Sequence, residues 1–161
     1  MNISIIGTSN ITEAHIKTIL ANKHKIIAIS STRKNSKKIY YFAKKYKIKK
    51  QFKNWKENVK FSSKFSNVNF FITCRIHDNK KVLLACCKTG KKIFIEKPVF
   101  LKKKQFKKFI KYKKQIFVGY NRIFYKNVEF LKKKIKNSKN LNLIIKCPED
   151  GKKNIIKNSC H

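Results

Sequence analysis

A glutamate and a lysine that directly follow a short apolar run are the residues of this chain best placed to do chemistry. The run Ile93–Ile95 leads into Glu96, Lys97 and Pro98. Continuous apolar residues predict a strand buried on both faces, as in a parallel sheet, and Pro98 ends it because proline lacks an N–H. Open α/β sheets bind ligands at the carboxyl ends of their strands. Lys97 is therefore either a ligand-facing amine or one more solvated lysine.

A glycine turn near the start of the chain predicts a site for phosphate groups. The apolar run at residues 3–6 ends at Gly7, and a helix pattern begins a few residues later. A strand, a glycine turn and a helix start are typical of the first unit of a dinucleotide-binding fold. However, Ser9 and Thr12 replace the second and third glycines, and Ser9 should crowd the pyrophosphate. Alone, the turn is also consistent with a generic strand-to-helix connection.

The end of the second strand, residues 25–30, predicts which dinucleotide is preferred. An acid at this position would bind the ribose 2′-hydroxyl, but the chain continues with Ser31, Thr32 and Arg33. Hydroxyls and a guanidinium suit a 2′-phosphate, so the sequence favours NADP over NAD. An equally good interpretation is a helix N-cap followed by a basic residue.

The remaining elements alternate between strand and helix patterns. Four further strands are predicted near residues 48–52, 68–73, 93–95 and 115–118. The alternation predicts an α/β fold of Rossmann type, a doubly wound parallel sheet of six strands. Another strand is expected at residues 140–146, and a polar loop at 73–79.

Apolar spacing predicts which helix faces are buried. Trp55 is expected to anchor an irregular segment. The predicted buried faces are Ile11, Ala14, Thr18, Ile19 and Ala21 in the first helix, Ile39, Phe42, Ala43 and Tyr46 in the second, Phe106, Phe109 and Ile110 after Pro98, and Phe124, Val128, Leu131 and Ile135 near residue 130.

The composition is extremely basic. The 161 residues include 42 Lys and Arg against 7 Asp and Glu, a formal net charge of +35, while an apolar fraction of 42% is enough for a core. The lysines are spread over every predicted helix, which is typical of solvated faces. We therefore expect nucleic acid to bind only through non-specific electrostatics. The alternative is that the chain is a basic module that binds nucleic acid or an acidic partner and reuses a Rossmann fold.

The cysteines predict neither a metal site nor a disulfide framework. Five are present, with no CxxC pair and no zinc-ligand spacing. An odd number of cysteines without a signal sequence predicts a reducing, cytoplasmic location, and no run is long enough for a membrane span.

Two motifs together resemble one protein family. The segment Gly90–Pro98, with Glu-Lys-Pro at its end, and the segment Val118–Phe124, with Gly-Tyr-Asn-Arg, resemble the Gfo/Idh/MocA oxidoreductases. The resemblance implies an NAD(P)-binding Rossmann domain at residues 1–120. It implies that residues 121–161 begin an incomplete α+β substrate domain, so we expect a truncated chain whose activity is impaired or lost. It also allows a homo-oligomer.

The resemblance further implies hydride transfer between a nicotinamide and a sugar, polyol or sugar-nucleotide carbon. Lys97 would hydrogen-bond the reacting hydroxyl, His161 would be the general acid/base, and Glu96 and Pro98 would fix the lysine. The implied cofactor-binding residues are Gly7, Ser9, Asn10 and Ile11 at the pyrophosphate, Ser31, Thr32 and Arg33 at the adenosine ribose, Thr73, Cys74 and Arg75 on the nicotinamide side, and Glu96, Lys97, Asn121 and Arg122.

Overall fold

The computed structural model describes residues 1–136, apart from the side chains of Lys103 and Arg122. Residues 1–120 form one compact unit, and residue 121 begins a second. The elements of the first unit are β1 Asn2–Ile6, α1 Thr12–Ala21, β2 Lys25–Ser30, α2 Lys37–Lys45, β3 Lys50–Phe52, α3 Trp55–Ser62, β4 Val68–Ile72, α4 Ile76–Cys87, β5 Ile93–Ile95, a 3-10 helix Lys103–Tyr112 and β6 Ile116–Val118.

The predicted six-stranded parallel sheet is confirmed. Its strand order is β3-β2-β1-β4-β5-β6, and every pairing is parallel. In β1, Ile6 pairs with Ser30 on one side and with Ile72 on the other, while Ile72 also pairs with Ile95. The carboxyl ends of the central strands therefore lie side by side.

Helices cover both faces of the sheet, because successive strand residues point to opposite sides. Ile3 and Ile5 belong to the core formed with α1 and α2. Ile6 belongs to the core formed with α3, α4 and the 3-10 helix. This division makes the fold a doubly wound α/β fold.

The buried face of α1 differs from the predicted one. Thr12, Ile16 and Ile19 are buried, whereas Ile11 is 45% exposed and Ala14 is exposed as well. Thr12 faces the sheet because its hydroxyl hydrogen-bonds the buried Thr73, the first residue after β4. Apolar spacing could not reveal a face that includes a buried hydroxyl.

Two predicted irregular segments are helical. The segment at Trp55 forms α3, whose start is capped by Asn54 accepting a hydrogen bond from the Lys56 amide at 3.0 Å. Inside it, the buried Asn58 accepts from the Ser4 hydroxyl at 2.9 Å, so a polar contact docks the helix. The predicted loop at residues 73–79 likewise enters α4 at Ile76.

The helix after Pro98 was also predicted with the wrong geometry. It is a 3-10 helix in which Phe109 is 5% exposed, but Phe106 is 43% and Ile110 61% exposed. With three residues per turn, residues three apart are aligned, so Ile110 turns away from the line of Phe106 and Phe109. Phe106 still packs its edge on Phe100, with the ring centroids 5.0 Å apart.

The described part of the second unit consists of a 3-10 helix, Asn121–Phe124, and α5, Lys126–Lys136. None of the side chains of α5 is buried, and Phe124 is 73% exposed, so a single buried stripe from Phe124 to Ile135 does not form here. The strand predicted at residues 140–146 lies outside the described residues. Among residues 1–136, every helix is too short or too polar to cross a bilayer.

Candidate functional site

The first residue beyond each of five strands lies in one row along the carboxyl edge of the sheet. Four of these residues donate their backbone N–H to the carbonyl of the last residue of a neighbouring strand, over 2.8 to 3.0 Å. The hydrogen-bond ladder therefore holds the row rigidly to the sheet. In order along the edge, the row consists of Ser31, Gly7, Thr73, Glu96 and Gly119. All of them except Ser31 donate in this way.

Gly7 stands at the point where the chain turns from β1 toward α1. Its φ of +131° lies in a region that L-residues rarely adopt, and a β-carbon there would be 2.3 Å from the carbonyl carbon of Thr73. The turn therefore depends on glycine for its backbone conformation and for its close approach to the loop after β4.

Ser9 and Thr12, which replace the other two glycines, are hydrogen-bonded to each other through their hydroxyls. The Ser9 hydroxyl lies 3.3 Å from that of Thr12, and the Thr12 hydroxyl lies 2.8 Å from that of Thr73. Thr12 thus ties α1 to the loop after β4 through a buried contact. The Thr12 amide donates to the Ser9 carbonyl at 3.1 Å, but no side chain caps the start of α1, so the amides that follow Thr12 in its first turn can face an anion. The turn fits a pyrophosphate that approaches its backbone.

The other two residues of the predicted phosphate turn are exposed. Asn10 accepts a hydrogen bond from the Lys38 ammonium at 3.1 Å, and the Ile11 side chain is 45% exposed. Both therefore lie on the solvent side of the turn.

The residues predicted to bind the ribose in the loop after β2 have different environments. Ser31 is buried, and its hydroxyl contacts that of Thr8 at 3.1 Å and accepts from the Arg33 amide at 3.2 Å. Arg33 itself is exposed. The Ser31 hydroxyl thus shapes the loop, while the guanidinium is free to meet a ligand phosphate.

The sequence has no acidic residue at the end of β2, but the fold places the carboxylate of Asp78, from α4, beside the loop that follows this strand. Asp78, in the first turn of α4, hydrogen-bonds the Thr32 hydroxyl, and Lys81 Nζ lies 2.6 Å from its carboxylate. Burial acts to raise the pKa of Asp78, but the hydrogen bonds from Lys81 and Thr32 outweigh it and lower the pKa. The carboxylate is therefore ionised at neutral pH.

The loop after β4 holds the other predicted residues on the nicotinamide side. Thr73 is 1% exposed, Cys74 is half-buried and Arg75 is exposed. Burial raises the pKa of the Cys74 thiol to about 12. The thiol is therefore protonated at neutral pH and donates a hydrogen bond to Asn79 Oδ1 at 3.2 Å.

Asn79 ties this loop to the one that carries Lys97. Its side-chain amide donates to the carbonyls of Pro98 and Val99, at 3.2 Å each. Lys97 has an exposed side chain, and the Lys97–Pro98 peptide bond is cis. Sequence reasoning missed Asn79 because it treated residues 73–79 as a loop; a polar residue on the buried side of a helix would have been the signal.

Three predicted site residues are not placed by this geometry. Asn121 begins the 3-10 helix of the second unit, the Arg122 side chain is not described, and His161 lies outside the described residues. Within residues 1–136, no three His, Cys, Asp or Glu side chains converge as metal ligands would.

Comparison with known proteins gives one family and many related folds. The family model GFO_IDH_MocA, described as an oxidoreductase family with an NAD-binding Rossmann fold, matches residues 1–120. No curated protein matches the sequence.

Three of the similar solved structures illustrate the fold. A protein described as a probable dehydrogenase from Thermotoga maritima has 24% identity and a TM-score of 0.72, covering 85% of this chain and 41% of its own. Scyllo-inositol dehydrogenase from Lactobacillus casei, with bound NAD(H) and scyllo-inositol, has 17% identity and a TM-score of 0.71, covering 84% and 41%. The WlbA dehydrogenase from Thermus thermophilus, with NAD and UDP-GlcNAcA, has 12% identity and a TM-score of 0.71, covering 87% and 48%. The chain therefore spans less than half the length of these proteins.

Proposed function

The chain belongs to the Gfo/Idh/MocA oxidoreductases with an NAD-binding Rossmann fold, since their family model matches residues 1–120, and on this premise we propose that it binds NADP or NAD for hydride transfer to or from a sugar, polyol or sugar-nucleotide carbon. The observation that carries the proposal is the order of residues along the sheet edge. The glycine turn at Gly7, the Thr73 loop and the Glu96-Lys97 loop follow three adjacent strands. A dinucleotide laid along this edge would reach from the phosphate turn to the lysine.

The residues at this edge fit such a cofactor. The backbone from Gly7 to Ile11 would hold the pyrophosphate, because the start of α1 is uncapped and the Ser9 hydroxyl bonds within the turn. The loop containing Arg33 would meet the adenosine ribose, and the loop from Thr73 to Arg75 would lie on the nicotinamide side.

We favour NADP because cations dominate around the ribose position. Arg33 is exposed, and the nearby carboxylate of Asp78 is paired with Lys81 at 2.6 Å. Arg75 further lowers the pKa of Asp78 by its charge. A 2′-phosphate would therefore meet net positive charge, and Arg33 could bind it through two hydrogen bonds.

The cofactor would supply the hydride chemistry, and the chain would hold the substrate alcohol. The ammonium of Lys97 would donate a hydrogen bond to the reacting hydroxyl and stabilise negative charge on its oxygen. His161 would take or return the alcohol proton as general acid/base. We assign residues 121–161 to the start of the domain that binds this substrate.

The two similar structures with ligands support the class of substrate. One holds scyllo-inositol beside NAD(H), and the other holds UDP-GlcNAcA beside NAD. A cyclic polyol and a sugar nucleotide both carry secondary alcohols, which suit a lysine donor and a nicotinamide acceptor.

Fluorescence titration of the full chain with NADPH and NADH tests cofactor binding. We expect saturable binding, tighter for NADPH, and a selective loss of NADPH affinity in Arg33→Ala. Lys34→Ala, which changes the neighbouring exposed cation, is the control. Absence of saturable binding to either nucleotide would contradict the proposal.

Lys97→Ala tests the proposed role of the lysine. Its exposed side chain should be dispensable for folding, but any turnover with polyol substrates should be abolished. Lys102→Ala, another exposed lysine a few residues later, should retain turnover. Unchanged turnover in Lys97→Ala would remove Lys97 from the mechanism.

A second candidate function is a basic module that binds nucleic acid or an acidic partner, favoured by the formal charge of +35. The 43% exposure of Phe106 is compatible with this function, because base stacking needs an accessible aromatic ring. Binding of this kind should weaken linearly in log K against log salt, with a steep slope. A DNA titration at several ionic strengths, run beside the NADPH titration, separates the two functions.

A further inference from the structure

His15 and Glu96 form a direct polar contact just behind the carboxyl edge of the sheet. His15 lies on α1, and its Nε2 is 2.7 Å from Glu96 Oε1. The side chains are only 19% and 21% exposed. In the Nε2-protonated tautomer, the imidazole N–H donates and the carboxylate oxygen accepts. The residues are 81 positions apart, so only the folded chain brings them together.

Aromatic rings fix the orientation of the imidazole. The His15 ring packs edge-on against Phe94, with centroids 5.2 Å apart, and against Phe71 at 6.1 Å. Phe71 and Phe94 are themselves stacked at 4.8 Å. Since Phe94 and Glu96 are two residues apart along one strand direction, both point toward α1. The imidazole therefore cannot swing away from Glu96 without losing these ring contacts.

The Glu96 carboxylate is enclosed on two further sides. Its Oε2 accepts a hydrogen bond from the Lys97 backbone amide at 3.2 Å. A β-carbon on Gly119 would lie 3.2 Å from Oε1 and 2.9 Å from the Phe94 ring. The carboxylate thus joins a histidine on one side to the backbone of the lysine on the other.

We propose that His15 is a positioning residue for Lys97. Its ring fixes Glu96, and Glu96 in turn holds the backbone that carries the lysine. Because His15 stands in the first turns of α1, just after the phosphate turn, it couples the position of the lysine to the element that would hold the pyrophosphate. The inference rests on the proposed function, in which Lys97 faces the reacting alcohol.

The test compares two substitutions of His15 in the full, ¹⁵N-labelled chain. His15→Leu keeps an apolar side chain against Phe94 but removes the donor, whereas His15→Gln can still donate to Glu96. We expect the amide resonances of Lys97 and Gly119 to shift farther in the Leu variant than in the Gln variant, because both variants lose the imidazole ring but only the Leu variant loses the donor. The amide of Ala28, on β2, is the internal control and should not move.

A second measurement connects the contact to the cofactor. NADPH should bind about threefold to tenfold more weakly to His15→Leu than to the wild type, the effect of about one hydrogen bond, and near-normally to His15→Gln. If the wild-type chain binds no dinucleotide, the proposed function fails, but the amide shifts still decide whether His15 holds Lys97.

Circular dichroism identifies variants that fail to fold. If His15→Leu is unfolded, His15→Asn replaces it, because the shorter amide stops short of Glu96, and the same amide shifts are expected. A Lys97 amide that shifts no farther in a folded Leu or Asn variant than in the Gln variant overturns the proposal. Failure of both variants to fold also overturns it, because His15 would then be needed for folding rather than for positioning.

Discussion

Gly7 and Thr73 approach each other so closely that a β-carbon on residue 7 would lie 2.3 Å from the carbonyl carbon of residue 73. This approach joins the phosphate turn after β1 to the loop after β4, and it is made by backbone atoms that cannot move aside. The position of the turn relative to the rest of the edge therefore depends on a missing side chain.

Gly7→Ala should be strongly destabilising. The substitution combines an unfavourable φ with overlap against backbone, which together cost at least about 3 kcal/mol. Gly90→Ala is a matched control: its φ is +75°, but no atom lies within 4 Å of the added carbon. Only about 1 kcal/mol should be lost there. Urea denaturation of both variants measures the difference, and equal losses would contradict the predicted overlap.

Introducing glycine at position 12 should destabilise the fold, whereas glycine at position 9 should leave its stability nearly unchanged. Thr12→Gly removes the buried hydroxyl contact with Thr73 and adds backbone freedom inside α1, so it should destabilise the fold by about 2 kcal/mol. Ser9→Gly changes a half-exposed turn residue, so its stability should remain within about 1 kcal/mol of the wild type. Ser9→Gly should also tighten NADPH binding, because removing the serine side chain lets the pyrophosphate approach the backbone of the turn. Weaker binding in Ser9→Gly would show that the serine itself contacts the cofactor.

Asn79→Ala should loosen the loop that carries Lys97. The substitution leaves the carbonyls of Pro98 and Val99 without their donor. Leaving the buried Val99 carbonyl unpaired costs about 1 to 3 kcal/mol, whereas the exposed Pro98 carbonyl can turn to water, and NADPH affinity should fall as well. Lys80→Ala, at the neighbouring exposed position, should change neither quantity. Thermal unfolding and the nucleotide titration provide the two measurements.

The described cysteines should be poorly reactive in the folded chain. Burial raises the pKa of Cys74 to about 12 and that of Cys87 to about 11, and raises that of Cys86 as well. Because the thiolate is the nucleophile, iodoacetamide at pH 8 should alkylate Cys74 about 1,000-fold more slowly than in the unfolded chain. The factor for Cys87 should be about 100.

The sign of the pH dependence follows from the raised pKa values. The thiolate fraction, and with it the alkylation rate, should increase about tenfold per pH unit between pH 7 and 9. Mass spectrometry of the labelled peptides measures each cysteine separately, with the chain in urea as the reference. A Cys74 rate equal to that in urea would show that the loop after β4 opens to solvent.

Local sequence patterns were sufficient to predict where the strands lie and that they form a parallel sheet. Ile93–Ile95, like the other apolar runs, becomes a strand because a buried parallel sheet requires continuous apolar residues and leaves a strand end where the run stops. The alternation with helices made a doubly wound parallel sheet the natural arrangement. The sequence alone therefore assigns Gly7 and Lys97 to the same edge of the sheet.

Polar contacts between distant residues were decided only by the tertiary structure. The pairs Thr12–Thr73, Thr32–Asp78 and His15–Glu96 join residues 46 or more positions apart. Each depends on how a helix rotates against the sheet, and apolar periodicity describes only the apolar part of a helix face. A buried hydroxyl or carboxylate is stabilised by its particular partner, so its position follows from the assembled fold and not from its own stretch of sequence.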